Sequence, residues 1–210
     1  MKSRPGVRLT AYLVSGVYAI VLFLLGLQLP HLIGKLLAFL PTLIVLLFAA
    51  FDTLLWRIQP IRFAVRKRPR LRGTWQGTLS SQQRTRGGKE INRPDIPIFL
   101  AMRQSFTELS ITLLTSESKS RSTIASIQQN ANGDFSIYYH YQNSPSVAVR
   151  ERSPVHLGGA VIEVTSLDPQ TLTGEYWTDR WSRGDFNATR VSRKCFGSFA
   201  EATSGSQRGA

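Results

Sequence analysis

The chain has 210 residues with 26 Lys or Arg against 13 Asp or Glu, a formal charge of +13. Residues 1–72 hold eleven of the bases and one acid (Asp52), so the excess belongs to an apolar N-terminal third and is a topology signal before it is a nucleic-acid footprint. One cysteine, Cys195, excludes an intrachain disulfide, and three scattered histidines (His31, His140, His156) argue against a zinc site.

Two uncharged or nearly uncharged stretches come first, 9–29 and 36–56, with only Asp52 charged in the second. Each matches the roughly 20 helical residues that cross about 30 Å of hydrocarbon. The connector 30–35 is too short for a domain, so the expectation is a two-helix transmembrane hairpin over 1–56. Lys2, Arg4 and Arg8 before it, and the basic segment 57–70 after it, place both termini on the cytoplasmic side. Ser15 with Ala19, and Ala49 with Thr53, put small residues four apart, where helices approach closely. Pro41 is a candidate kink, and Asp52 is close enough to the helix end to reach Arg57. The linker 57–70 is expected on an anionic leaflet.

From Leu71 the pattern changes to alternation, which predicts eight strands: 71–80, 96–104, 107–115, 118–128, 134–143, 154–165, 171–181 and 184–193. Turn signals separate many of them, including Gly87-Gly88, Asn132-Gly133-Asp134, Asn143-Ser144-Pro145, Asp168-Pro169 and Arg183-Gly184-Asp185. Short strands without intervening helices give an antiparallel barrel or sandwich. Eight strands close as a small up-and-down, lipocalin-like β-barrel with room for one small ligand. The barrel domain is assigned to 71–196 and a disordered tail to 197–210.

Alternation assigns inward faces. Leu71, Gly73, Trp75, Gly77 and Leu79 point in on the first strand. Ser118, Ser120 and Ser122 do so on the fourth, a row of hydroxyls odd for a plain core. Phe135, Ile137, Tyr139, Tyr141 and Asn143 follow on the fifth, and His156, Gly158, Ala160, Ile162 and Val164 on the sixth. On the seventh, Glu175 and Asp179 mark the outside, leaving Leu172, Gly174, Tyr176, Thr178 and Arg180 inside. An inward arginine needs a salt bridge or a ligand, because burying it bare costs several kcal/mol.

The resulting ligand-contact candidates are Arg180, Tyr176, Thr178, Ser118, Ser120, Tyr139, His156 and Trp75. Arginine matches phosphate oxygens, aromatic faces stack on bases, and hydroxyls read base or sugar edges. This set suits a small nucleotide better than a fatty acid, which needs a largely apolar cavity. No nucleophile elbow, phosphate-binding glycine loop or paired metal ligands occur, so the expectation is a receptor without catalytic residues, metal or cofactor.

An ordered set of segments carries a family resemblance over about residues 8–194. After the apolar pair and basic linker come RGTWQGTL at 72–79, ESKSRS at 117–122, YYHYQNSP at 138–145, VHLGG at 155–159 and LTGEYWTDRWSRGD at 172–185. The chain resembles bacterial CBASS effectors, anti-phage proteins with two transmembrane helices and a cyclic-dinucleotide-recognising β-barrel. The resemblance implies that a cognate nucleotidyltransferase makes a cyclic dinucleotide during infection. The barrel would bind it, copies would oligomerise, and the bacterial inner membrane would be disrupted, killing the cell. It implies membrane lipids and homo-oligomers as partners and no DNA or RNA polymer. Two alternatives stay open: a membrane-anchored barrel for a lipid or other apolar molecule without disrupting activity, and a tether that docks another protein.

Overall fold

The structure is a computed structural model that describes residues 14, 16–18, 20–21, 31–58, 68–84 and 90–207. The chain divides into two compact units, Met1–Ile61 and Arg62–Ala210.

In the first unit the described residues between 14 and 21 are helical, and α1 spans His31–Thr53, followed by a 3-10 turn at Leu55–Arg57. Among the described residues no helix is long and apolar enough to cross a membrane. The expected two-helix transmembrane hairpin, and the multi-pass inner-membrane placement with both termini and the barrel cytoplasmic, are thereby overturned. The physical reason lies in the bounds of α1. It begins inside the supposed connector and ends at Thr53, so Lys35 and Asp52 both fall within it. The uncharged stretch between them, 36–51, is about 24 Å of helix at 1.5 Å per residue, short of a 30 Å hydrocarbon core. Pro41 interrupts the hydrogen-bond ladder within that stretch. Thr53 does not face a neighbour with a free hydroxyl: its Oγ1 donates to the Ala49 carbonyl at 2.8 Å. The pair Ser15/Ala19, most of 9–29 and most of the basic linker lie outside the described residues.

The second unit is a closed antiparallel barrel in which each strand pairs with the next and β8 closes on β1. The strands are β1 (Gly73–Arg84), β2 (Glu90–Gln104), β3 (Leu109–Leu114), β4 (Ser118–Gln129), β5 (Phe135–Pro145), β6 (His156–Val164), β7 (Thr171–Thr178) and β8 (Ser182–Ser192). Eight strands form because alternation supplies one apolar face per strand, although β1 runs on to Arg84 and β2 starts at Glu90, ahead of the expected 96, and closure leaves no edge. Gly87-Gly88 lies outside the described residues. Arg183-Gly184-Asp185 is not a turn but the start of β8; the chain reverses at 179–181 instead, where Trp181 adopts a left-handed φ of 61°.

One end of the barrel is solid. Leu71, Trp75, Ile98, Leu100, Met102, Ile111, Ile137, Ile162 and Leu172 are all buried there. Gln104 fastens the incoming chain at this end: its Oε1 accepts from Leu71 N at 2.8 Å and its Nε2 donates to Pro69 O at 2.9 Å.

The tail assigned to disorder is ordered through 207. α2 spans Phe199–Gln207 and begins with a capping box: Glu201 N donates to Ser198 Oγ (3.2 Å) and Gly197 N to Glu201 Oε2 (2.9 Å). It stays down because Phe99 on β2 and Leu114 on β3 point outward and need cover, which Phe196, Phe199 and Ala202 supply. Phe99 and Phe199 meet edge to face at 5.2 Å.

Candidate ligand-binding site

At the other end the barrel is open. A cavity of about 780 Å³ occupies the space between the last residues of β1, β3, β5 and β7 and the first of β2, β4, β6 and β8. That volume lies in the range of small-molecule sites. The apolar plug forms one end and the cavity the other because the inward residues change character along each strand. On β5, for example, Phe135 and Ile137 give way to Tyr139, Tyr141 and Asn143.

Seven of the eight candidates line this cavity: Arg180, Tyr176, Thr178, Ser118, Ser120, Tyr139 and His156. Trp75 does not. It sits in the solid end, fully buried, with Nε1 donating to Leu71 O at 3.0 Å and the Arg190 guanidinium 4.5 Å over its ring. Its inward facing was legible, but its level along the axis was not.

Arg180 follows β7 rather than lying on it, in the turn to β8. Thr178 builds that turn: its Oγ1 accepts from the backbone N–H of both Arg180 and Ser182 at 3.2 Å and lies 2.7 Å from Ser182 Oγ. The half-buried guanidinium donates from Nη1 to Ser153 Oγ at 3.0 Å and lies 3.5 Å from His156 Nδ1. Among the described residues no carboxylate pairs with it, so the rim salt bridge is absent. His156 is turned by its own chain, with Nδ1 3.1 Å from Pro154 O.

The serine row is tied to β5. Asn143 Nδ2 donates to Ser118 Oγ at 3.0 Å and to Ser120 Oγ at 2.8 Å. Its Oδ1 is buried and has no partner among the described residues. An acceptor left so costs about 1–3 kcal/mol. Ser122 is used elsewhere, its Oγ accepting from Ile111 N at 2.9 Å.

Tyr139, Tyr141 and Tyr176 floor the cavity. Burial pushes all three phenols above their ordinary value; for Tyr176, the Ser81 hydrogen bond and the Arg93 charge oppose that rise. The Tyr139 and Tyr141 rings lie 5.8 Å apart, tilted by 42°. Gly158 makes the seat for Tyr141: a Cβ there would stand 2.4 Å from its Cζ and hydroxyl.

Sequence reasoning missed several lining residues. Tyr141 and Asn143 were read as inward but not as contacts. Arg93, Arg152 and Ser153 lie in irregular or exposed segments where alternation gives no facing. Arg152 pairs with Glu117 at the mouth, whereas Arg93 has no carboxylate partner among the described residues.

The cavity therefore offers at the rim a guanidinium, that of Arg180, with no carboxylate partner among the described residues, phenol faces below and a hydroxyl–amide cluster on one wall. No curated protein matches the chain. A family model described as the Cap15 cyclic dinucleotide receptor domain matches residues 66–190, well over half of the chain and nearly the whole barrel. The match spans more than half of the chain, and the chain belongs to the Cap15 cyclic dinucleotide receptor domain family.

Proposed function

We propose that the open end of the barrel binds a cyclic dinucleotide, with a ring phosphate on Arg180 and the bases against Tyr139, Tyr141 and Tyr176. The observation that carries this reading is Arg180 itself. It is half-buried, held in place by Ser153 and the Thr178 turn, and free of any carboxylate among the described residues. A phosphate oxygen matches its remaining donors. Ser118 and Ser120, held in place by Asn143, read a base or sugar edge. His156 sits beside the phosphate site. The cavity, bounded by the barrel wall, admits a small ligand and no DNA or RNA polymer.

The chain acts as a receptor, not an enzyme, and needs no cofactor beyond its ligand. A cognate nucleotidyltransferase supplies the dinucleotide during phage infection. Binding favours an associated state of several copies, which follows if that state holds ligand more tightly than the resting one. The apolar N-terminal unit then acts on membrane lipids, and the infected cell dies. An apolar ligand suits the cavity less well, since it would set hydrocarbon against the half-buried Arg180 guanidinium.

The test combines binding with response. Purified full-length chain is added to dye-loaded anionic vesicles with and without a panel of cyclic dinucleotides. The expected result is leakage only with a dinucleotide that also binds. Binding without leakage would remove the membrane step and leave the receptor; no binding by any member would remove both.

A further inference from the structure

A cyclic dinucleotide carries two phosphates, one on each side of its ring, and Arg180 answers only one of them. The other needs a donor in the same cavity, set apart from the first. Besides Arg180, the cavity lining holds two more arginines, Arg93 and Arg152. Arg152 is engaged by Glu117. Arg93 has no carboxylate within ion-pair distance among the described residues. Asp95, close to it in sequence, is turned to Ser80, whose Oγ donates to Asp95 Oδ1 at 2.8 Å.

A local irregularity of β2 aims Arg93 inward. On β1, Leu79 and Ser81 both line the cavity, with Ile96 and Arg93 as their register partners. Direct partners across a ladder share a face. Counted back from the inward Met102, Leu100, Ile98 and Ile96, strict alternation would send Asn92 and Pro94 in and Arg93 out. Two residues, Pro94 and Asp95, instead stand opposite the single Ser80, and this bulge reverses the parity. Proline suits the bulge, where no ladder donor is needed.

The guanidinium is held as well as aimed. Its Nη2 donates to Gln83 Oε1 on β1, and its charge reaches the Tyr176 phenol. Gln83 is the register partner of Ser182, and Ser182 Oγ lies 2.7 Å from Thr178 Oγ1, the atom that holds the Arg180 turn. The two arginines thus flank one stretch of the mouth: Arg180 after β7 and Arg93 on β2, with β8 and β1 between them. Three strand steps of about 4.8 Å put roughly 14 Å of wall between the two strands, and less straight across the lumen. Side chains reaching in from both ends of that stretch bracket a ring with a phosphate at each edge.

We propose that Arg93 is the second phosphate-binding residue of the cavity, so that a cyclic dinucleotide lies along the β8–β1 wall with one phosphate on Arg180 and the other on Arg93. This rests on the receptor reading above and deepens it: both ring phosphates are read, and a dinucleotide with one phosphate uses Arg180 alone.

Full-length chain is titrated by calorimetry with the best-binding cyclic dinucleotide and with the linear dinucleotide of the same bases, which has one internal phosphate and none at its ends. Arg93→Gln is expected to weaken the cyclic ligand about 10-fold, the low end for a hydrogen bond to a charged group because Arg93 is exposed, and to leave the linear one within about twofold of wild type. Arg180→Ala weakens both. Arg93→Lys keeps the charge, loses the fork and recovers part of the loss. Added salt narrows the gap between wild type and Arg93→Gln for the cyclic ligand, because it screens a contact that only wild type makes. Unfolding curves like that of wild type exclude misfolding as the cause. Cyclic affinity of Arg93→Gln within about twofold of wild type, equal losses for cyclic and linear ligands, or a gap that salt does not change would each overturn the second phosphate site and leave the receptor reading standing. Wild type that binds no cyclic dinucleotide would remove the receptor reading, and this site with it.

Discussion

Arg180→Ala is the most informative single change. The guanidinium donates to Ser153 and approaches His156, and no carboxylate among the described residues uses its other donors. A hydrogen bond to a charged group contributes about 1.5–3 kcal/mol, which is about a 10- to 150-fold change in dissociation constant at 1.4 kcal/mol per decade. Truncation leaves no buried acid behind, so folding should be nearly unaffected. Arg180→Lys keeps the charge and loses the fork, and should fall between wild type and Ala. Calorimetric titration with the best-binding cyclic dinucleotide gives the affinities, and thermal unfolding without ligand gives the control. An affinity for Arg180→Ala within twofold of wild type, with the fold intact, would refute the phosphate role. A large loss accompanied by a fallen Tm would instead assign Arg180 to the turn.

Thr178→Val removes the acceptor that holds the N–H groups of Arg180 and Ser182, so ligand affinity should drop about 5- to 10-fold while Arg180 remains, as titration would show. Gly158→Ala would press on both the Tyr141 ring and the Trp177 carbonyl, so Tm and ligand affinity should fall together, as thermal unfolding beside titration would show. Removing 196–210 uncovers Phe99 and Leu114. At about 1.5–3 kcal/mol per buried large apolar side chain, the Tm should fall by several degrees in calorimetry, with the cavity still binding ligand. Raised pKa values at Tyr139, Tyr141 and Tyr176 mean that the folded state keeps protons the unfolded chain releases near pH 10. Stability from these groups is therefore intact below about pH 10 and declines as pH rises beyond it, which denaturant titrations at pH 8 to 11 can follow.

The barrel was legible because its signal is local. Alternation with period 2 needs no partner to be read, and the inward sets on β1, β5 and β6 follow from it directly. The facing of Tyr176 and Thr178 followed from two exposed acids, Glu175 and Asp179. What alternation cannot carry is height along the axis, and Trp75 shows the consequence: inward, aromatic and at the wrong end. Nor does it see residues in turns. Arg180 reaches the cavity because Thr178 folds the β7–β8 turn over it, not because a strand continues to 181. Arg93 stands where the β1–β2 register slips, between the pairs Leu79–Ile96 and Ser81–Arg93, so no strand parity reaches it.

The N-terminal reading erred by counting apolar residues without fixing where the helix starts and stops. Once α1 runs from His31 to Thr53, Lys35 and Asp52 bound its apolar stretch. The tail erred in the opposite direction. Its Ser, Gly and Thr content suggested disorder, but Phe196, Phe199 and the Ser198–Glu201 cap were already in the sequence. Their significance depended on outward Phe99 and Leu114, which only the sheet brings together.

The most direct measurement is calorimetry of the purified full chain against cyclic dinucleotides, with a long-chain fatty acid as comparison. The account predicts one-to-one binding of a dinucleotide, competed by no fatty acid and weakened at high salt as its phosphate contact is screened. Saturable binding of the fatty acid with no heat from any cyclic dinucleotide would contradict it.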